Sequence, residues 1–149
     1  MSIFKCKMCG GTIEFNPGDT VGVCDSCGTK QTLPTTSDEI ITNLHNRANT
    51  LRLKCEFDKA EEIYNKILEK NPDDAEAHWG IILCKYGIEY VDDPATGKKI
   101  PTCHRSSFDS VMEDSDLEQA LENADTIARK VYREEAKQIE EIRKGIIEV

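Results

Sequence analysis

Cysteines stand at 6 and 9 and again at 24 and 27, in Cys6-Lys7-Met8-Cys9 and Cys24-Asp25-Ser26-Cys27, with fourteen residues between the pairs. No other feature constrains the chain as much. Two intervening residues let both sulfurs of a pair reach one ion from a single tight turn, and a second such turn completes a tetrahedral shell. The spacing predicts a four-thiolate zinc site.

Each pair is followed by glycine, Gly10 and Gly11 in one case and Gly28 in the other. These suit a backbone that must fold back beside a metal with positive φ. Between the pairs, Thr12-Ile13-Glu14-Phe15, Asn16-Pro17-Gly18-Asp19 and Thr20-Val21-Gly22-Val23 read as strand, turn, strand, and Thr29 to Leu33 reads as a third strand. The expected unit is a small β zinc ribbon over 1–33. Ile13, Phe15, Val21 and Val23 are too few to support it alone, so one Zn²⁺ supplies folding energy. Four ligands fill a tetrahedral shell, which argues for a structural site. Two rival readings of the thiols remain. A redox dithiol normally sits in a strand-helix context that is absent here, and a pair of disulfides needs an oxidising compartment. The N-terminus has no apolar run of signal-peptide length and the chain has no transmembrane-length apolar stretch, so a reducing, cytoplasmic setting is expected.

The formal charge is -9, and four thiolates with one Zn²⁺ would lower it by a further two. Such a surface repels phosphate backbones. Within 1–33, Lys5, Lys7 and Lys30 are balanced by Glu14, Asp19 and Asp25, and Phe4 and Phe15 are the only aromatics. That is neither a basic stripe nor a stacking platform. A nucleic-acid-binding zinc ribbon is the alternative reading, and it predicts salt-sensitive binding through Lys5, Lys7 or Lys30.

After a polar linker at 34–38 the pattern becomes helical, with Thr36 and Glu39 as a capping box. Ile40, Leu44, Ala48 and Leu51 share one helical face. A reversal near Cys55 to Asp58 leads to Ala60, Ile63, Tyr64, Ile67 and Leu68, ending at Asn71-Pro72. Asp73 and Asp74 cap a third helix bearing Ala77, Trp79, Ile81, Ile82 and Leu83. Ala48, Ala60, Tyr64 and Pro72 make 41–74 resemble a tetratricopeptide repeat. Arg47 stands where such a repeat usually carries an apolar residue, and Trp79 falls one place late in the next unit. A helical hairpin outside that family is the plainer alternative.

Further on, Glu89-Tyr90-Val91 and Lys98-Lys99-Ile100 flank Asp92-Asp93-Pro94-Ala95-Thr96-Gly97, which predicts a β-hairpin over about 89–102. Irregular chain follows to Asp114. One long helix over about 115–147 is then expected, carrying Leu117, Ala120, Leu121, Ala124, Ile127, Ala128, Val131, Tyr132, Ile139, Ile142 and Ile146 on one face. At 1.5 Å per residue it would span on the order of 45 Å, too long for the earlier helices to cover. Its apolar end reads as a connection into a longer protein or as a self-associating helix.

The ribbon opening Cys6-Lys7-Met8-Cys9-Gly10-Gly11-Thr12-Ile13, the segment Ala60 to Leu68, the run Tyr86 to Val91, Pro101-Thr102-Cys103-His104-Arg105 and the helix from Ala136 to Ile147 together resemble the N-terminal region of bacterial TIR-domain proteins. That resemblance covers nearly the whole chain. It implies a sensing, scaffolding or oligomerising region preceding an NAD-processing TIR domain, which would begin beyond Val149. It carries no catalytic residue onto this sequence.

Cys55 and Cys84 read as packed thiols. Cys84, Cys103, His104 and His78 form a weaker candidate second metal site, and Cys103-His104 a weaker nucleophile and base, because neighbours on extended chain point apart. Asp73-Asp74 and Asp92-Asp93 read as caps and turn residues. The expected whole is mainly α: a ribbon over 1–33, then a tetratricopeptide-like helical domain over 39–149 with an inserted hairpin. Its work is binding a protein partner or its own copies, with no enzymatic activity in this chain and no membrane partner. Tyr64 and Trp79 are candidate partner anchors, with core packing as the alternative for both.

Overall fold

The computed structural model describes residues 2–16, 18–34, 38–105 and 110–148. Strand β1 (Ser2–Lys5) pairs antiparallel with β2 (Thr12–Phe15), Phe4 opposite Ile13, and β3 (Val21–Val23) pairs with β4 (Lys30–Thr32). The ladders therefore differ from the expected ones. Thr12–Phe15 is not laddered to residues 20–23; it pairs with a strand the sequence pattern missed, and two two-stranded sheets replace one of three strands. The reason lies in the glycines. Gly10 (φ +81°) and Gly28 (φ +72°) reverse the chain at the cysteines themselves, so each Cys-x-x-Cys-Gly turn is the hairpin loop.

Helices α1 (Glu39–Leu53), α2 (Phe57–Lys70) and α3 (Ala75–Lys85) follow, and α2 packs on both of its neighbours. Asp38 caps α1, its carboxylate accepting from Ile40 N at 2.9 Å. Thr36, expected in that role, lies outside the described residues. Asp74 caps α3 through Ala77 N at 3.0 Å. Ile41 rather than Ile40 begins the buried face of α1, since Ile40 is 62% exposed. Ala48, Phe57, Ala60, Ile63, Tyr64, Ile67 and Ile81 fill the layer between these helices. Tyr64 lies flat against Gly80, where an added Cβ would come within 2.3 Å of the ring. No larger residue fits there without moving the two helices apart.

The expected hairpin forms between β5 (Ile88–Asp92) and β6 (Lys99–Cys103), with Tyr90 opposite Pro101. Asp93 organises its tip, accepting from Ala95 N at 3.0 Å and from the Thr96 hydroxyl at 3.2 Å. A 3-10 turn at Val111–Glu113 leads into α4 (Ser115–Glu122) and α5 (Thr126–Glu148). The single helix expected over 115–147 is thus two helices. Asp125 accepts from Ala128 N at 2.8 Å and starts α5, while the Arg129 guanidinium donates to Leu121 O and Ala124 O at 2.9 and 3.0 Å. These local bonds satisfy the groups that a continuous helix would have paired. At 23 residues α5 is about 35 Å long. It is covered as far as Arg143 by β4, β6, the 3-10 turn and α4.

A second core runs without a break from the sheets into the helices. Phe4, Ile13, Phe15 and Leu33 join Trp79, Leu83, Tyr86, Tyr132, Ala136 and Ile139, and the rings of Trp79 and Tyr132 stand 5.5 Å apart. The chain is mainly α with small antiparallel hairpins, as expected. Among the described residues no helix is long and apolar enough to cross a membrane.

Candidate metal centre

The two cysteine turns are built alike. Gly10 N donates to Cys6 O at 3.0 Å and Cys6 N to Gly11 O at 2.7 Å; Gly28 N donates to Cys24 O at 2.7 Å and Cys24 N to Thr29 O at 3.1 Å. This repeated loop aims four sulfurs at one point. All four Sγ atoms lie within 4.8 Å of one another, with Cys6 to Cys27 at 3.7 Å and Cys9 to Cys24 at 3.6 Å. A tetrahedron with metal-sulfur bonds of about 2.3 Å has edges of about 3.8 Å. The donor set fits a metal ion.

Backbone and side-chain donors already point at these sulfurs. Cys6 Sγ accepts from Met8 N at 3.3 Å, Cys9 N at 3.4 Å and Gln31 Nε2 at 3.1 Å, and Cys9 Sγ accepts from Gly11 N at 3.4 Å. Burial pushes the Cys6 thiol up, but the Gln31 amide and those N–H groups outweigh it and bring it down to about 7. Burial raises Cys9 to about 12, the neighbouring thiols adding to the rise, and burial also raises Cys27. Cys6 is thus prepared as a thiolate, and Cys9 and Cys27 need a cation to ionise.

Lys7, one of the two residues between Cys6 and Cys9, carries the site into the protein. Lys7 is 2% exposed, and its ammonium reaches Glu76 Oε1 on α3 at 2.8 Å and the Thr32 hydroxyl on β4. Glu76 also accepts from Tyr132 on α5 at 3.2 Å. Arg52 at the end of α1 donates to Lys7 O, and Lys7 N donates to Gln31 Oε1 at 2.9 Å. Asn46 and Asn49 of α1 close the free edge of β1: Lys5 N donates to Asn46 Oδ1 at 2.8 Å, Asn46 Nδ2 donates to Ile3 O at 3.0 Å, and Asn49 Nδ2 to Lys5 O at 3.2 Å. An edge paired in this way no longer offers its backbone to another strand.

Several expectations change against this geometry. Tyr64 and Trp79, candidate anchors, are 1% and 0% exposed; the first is pinned by its hydroxyl donating to Asn49 at 2.9 Å. Both fill cores. Lys7, one of three cations a nucleic-acid surface would use, is spent on Glu76, leaving Lys5 and Lys30 exposed. Cys84, Cys103, His78 and His104 are not brought together. His78 bonds Asp116 at 2.9 Å and Pro72 O at 2.9 Å, Cys84 is buried in α3, and Cys103 packs on the core while His104 faces Glu89 at 2.7 Å. Gln31, Arg52, Glu76 and Tyr132 were not foreseen. Arg52 and Glu76 carry one sequence signal, a charge flanked by apolar residues; Gln31 carries none, and Tyr132 reads only as part of an apolar face.

The fold and the site define a mainly helical chain with a four-cysteine cluster able to hold a metal ion. No protein-family model matches this chain, and neither a curated protein nor a solved structure was found to match it.

Proposed function

We propose that this chain is a zinc-stabilised protein-interaction module, a ribbon locked onto a tetratricopeptide-like helical layer. The observation that carries the reading is the closed four-sulfur cluster with tetrahedral spacing. Zinc held by four thiolates supplies folding energy and leaves no position for substrate. Recognition then belongs to the surface. One such surface is a groove of about 560 Å³ between α1 and α2, lined by Arg47, Thr50, Leu51, Lys59, Glu62, Ile63 and Lys66. Three cations against one acid on a chain of net charge -9 suit an acidic polypeptide segment with an apolar contact on the half-buried Leu51. The anchoring role given to Tyr64 and Trp79 passes to these residues.

The resemblance to the N-terminal region of bacterial TIR-domain proteins extends the proposal: binding in this region would bear on an NAD-processing domain further along a longer protein, and this chain would consume no NAD itself. Capture of acidic peptides by the full chain, compared with Arg47→Glu and Lys66→Glu, tests the groove. A loss of roughly tenfold in affinity is expected for each reversal. Unchanged capture by both variants removes the groove from the proposal, and turnover of NAD by the chain removes the interaction reading.

A further inference from the structure

Besides the four cysteines, one other group of potential metal ligands comes together among the described residues. Cys55, Glu89 and His104 place a sulfur, a carboxylate oxygen and a ring nitrogen within 4.8 Å of one another. They come from the turn between α1 and α2, from β5, and from the residue after β6.

Fixed backbone holds each of them. At the end of α1, Cys55 N donates to Arg52 O and Glu56 N to Leu51 O, both at 2.9 Å, a helix-ending loop whose left-handed position normally takes glycine. Cys55 occupies that position with φ +61°, the one positive-φ residue other than glycine among those described. The backbone gains nothing from a Cβ there, so what the residue supplies is its thiol. Glu89 is set by the hairpin register and by the Thr102 hydroxyl donating to its carbonyl at 2.8 Å. The ladder continues past β6, with His104 N donating to Gly87 O at 2.8 Å and Arg105 N to Tyr86 O at 3.2 Å.

We propose that Cys55, Glu89 and His104 form a second metal site, one that takes a divalent ion of zinc's kind through one thiolate, one carboxylate and one imidazole. Sulfur and nitrogen donors favour such a borderline ion over magnesium or calcium, which take oxygen. His104 Nε2 now sits 2.7 Å from Glu89 Oε1. Bound to one tetrahedral ion at about 2.0–2.1 Å each, the two atoms would stand about 3.3 Å apart. The exposed imidazole needs only a small turn to admit the ion. Cys55 gives its thiol proton to solvent on binding, and His104 binds through a neutral ring nitrogen. The nearby Arg105 is already engaged, with Asp58 at 2.8 Å and the Phe57 ring at 5.4 Å, so its charge is directed away. Three protein donors leave a fourth position on the solvent side, open to water or to a thiol or carboxylate from another molecule. In this the site differs from the closed cluster at the front of the chain.

Equilibrium dialysis of the reduced full chain against micromolar free Zn²⁺, followed by elemental analysis, tests the proposal, with Co²⁺ as an optical substitute. Two ions per chain are expected for the wild type and one for Cys55→Gly and for His104→Ala, with Glu89→Gln weakening the second ion roughly tenfold or more. Cys55→Gly suits its backbone position, and far-ultraviolet circular dichroism verifies that it folds. With Co²⁺, part of the thiolate charge-transfer band should vanish in that variant. A single ion in the wild type, or two ions retained by both Cys55→Gly and His104→Ala, would overturn the second site.

Discussion

Lys7 Nζ lies 2.8 Å from Glu76 Oε1, with the two side chains 2% and 4% exposed, so the turn between Cys6 and Cys9 is fastened by charge to the start of α3. Removing one member strands the other without water. Breaking such a buried pair typically destabilises by about 3–5 kcal/mol. Lys7→Met alone is expected to fall in that range by urea unfolding. Lys7→Met with Glu76→Gln should lose much less, because Gln can still accept from Thr32 and donate its amide N–H to the Tyr132 hydroxyl while the uncompensated charge is gone. Equal losses in the single and double variants would show that the cost comes from losing Lys7's own contacts and not from a stranded Glu76 charge.

Metal removal follows the same connection. Because Lys7, Gln31 and Arg52 join the first cysteine turn to both cores, chelation should disorder the sheets and also loosen the packing of Trp79 on Tyr132. The expected outcome is loss of the near-ultraviolet circular dichroism of these aromatics together with the metal, while most far-ultraviolet helix signal stays. Cys24→Ser should behave like the chelated wild type. An unchanged aromatic spectrum after verified metal loss would separate the ribbon from the core.

The four-cysteine cluster was legible because cysteine spacing is a local property: two residues between cysteines and a following glycine specify the turn whatever surrounds it. The helices α1 to α3 were legible from apolar periodicity, and the β5–β6 hairpin from Asp93 and Gly97. What the pattern could not carry was pairing at a distance. Strand β1 has no turn signal of its own and is defined by β2 and by Asn46 of α1. The break at Asn123 to Asp125 was hidden because Ala124 and Ala128 keep the helical period across it. Tyr64 and Trp79 looked like anchors because an aromatic on a helix reads alike whether its face meets solvent or another helix. The group of Cys55, Glu89 and His104 joins residues up to 49 positions apart, which no local spacing reveals.

Cys55 also makes a backbone prediction independent of metal at its own site. An L residue at φ +61° is strained relative to glycine, and the entropy of a more flexible unfolded chain offsets part of that strain. Cys55→Gly is expected to raise stability by about 0.5–1 kcal/mol, read as a higher urea midpoint with unchanged slope. The comparison belongs under zinc supply that fills only the four-cysteine cluster. A lower midpoint would mean that the thiol's contacts outweigh the strain.

Glu135 on α5 gives stability a pH dependence of defined sign. Burial pushes its carboxyl up to about 7, the Lys7 and Arg52 charges only partly opposing this, and its Oε2 makes no hydrogen bond. Below pH 4.5 the group is protonated in the folded and unfolded chain alike, so it adds no difference. Between pH 4.5 and 7 the unfolded chain ionises it first, and stability falls as pH rises. The full loss is reached above pH 7. The side chain lines a cleft with Met8 and Tyr90, which lets water screen part of the penalty, so the loss is on the order of 2 kcal/mol. Asp74 and Glu140, whose carboxyls are held low despite burial, by His45 and by Arg143 with Ser110, act in the opposite direction as pH falls. They are common to the wild type and to Glu135→Gln and cancel in the difference. Glu135→Gln mimics the protonated form at every pH. It should nearly match the wild type in thermal unfolding at pH 4 and exceed it at pH 8. A constant difference between the two proteins across that range would show that Glu135 ionises in the core without penalty.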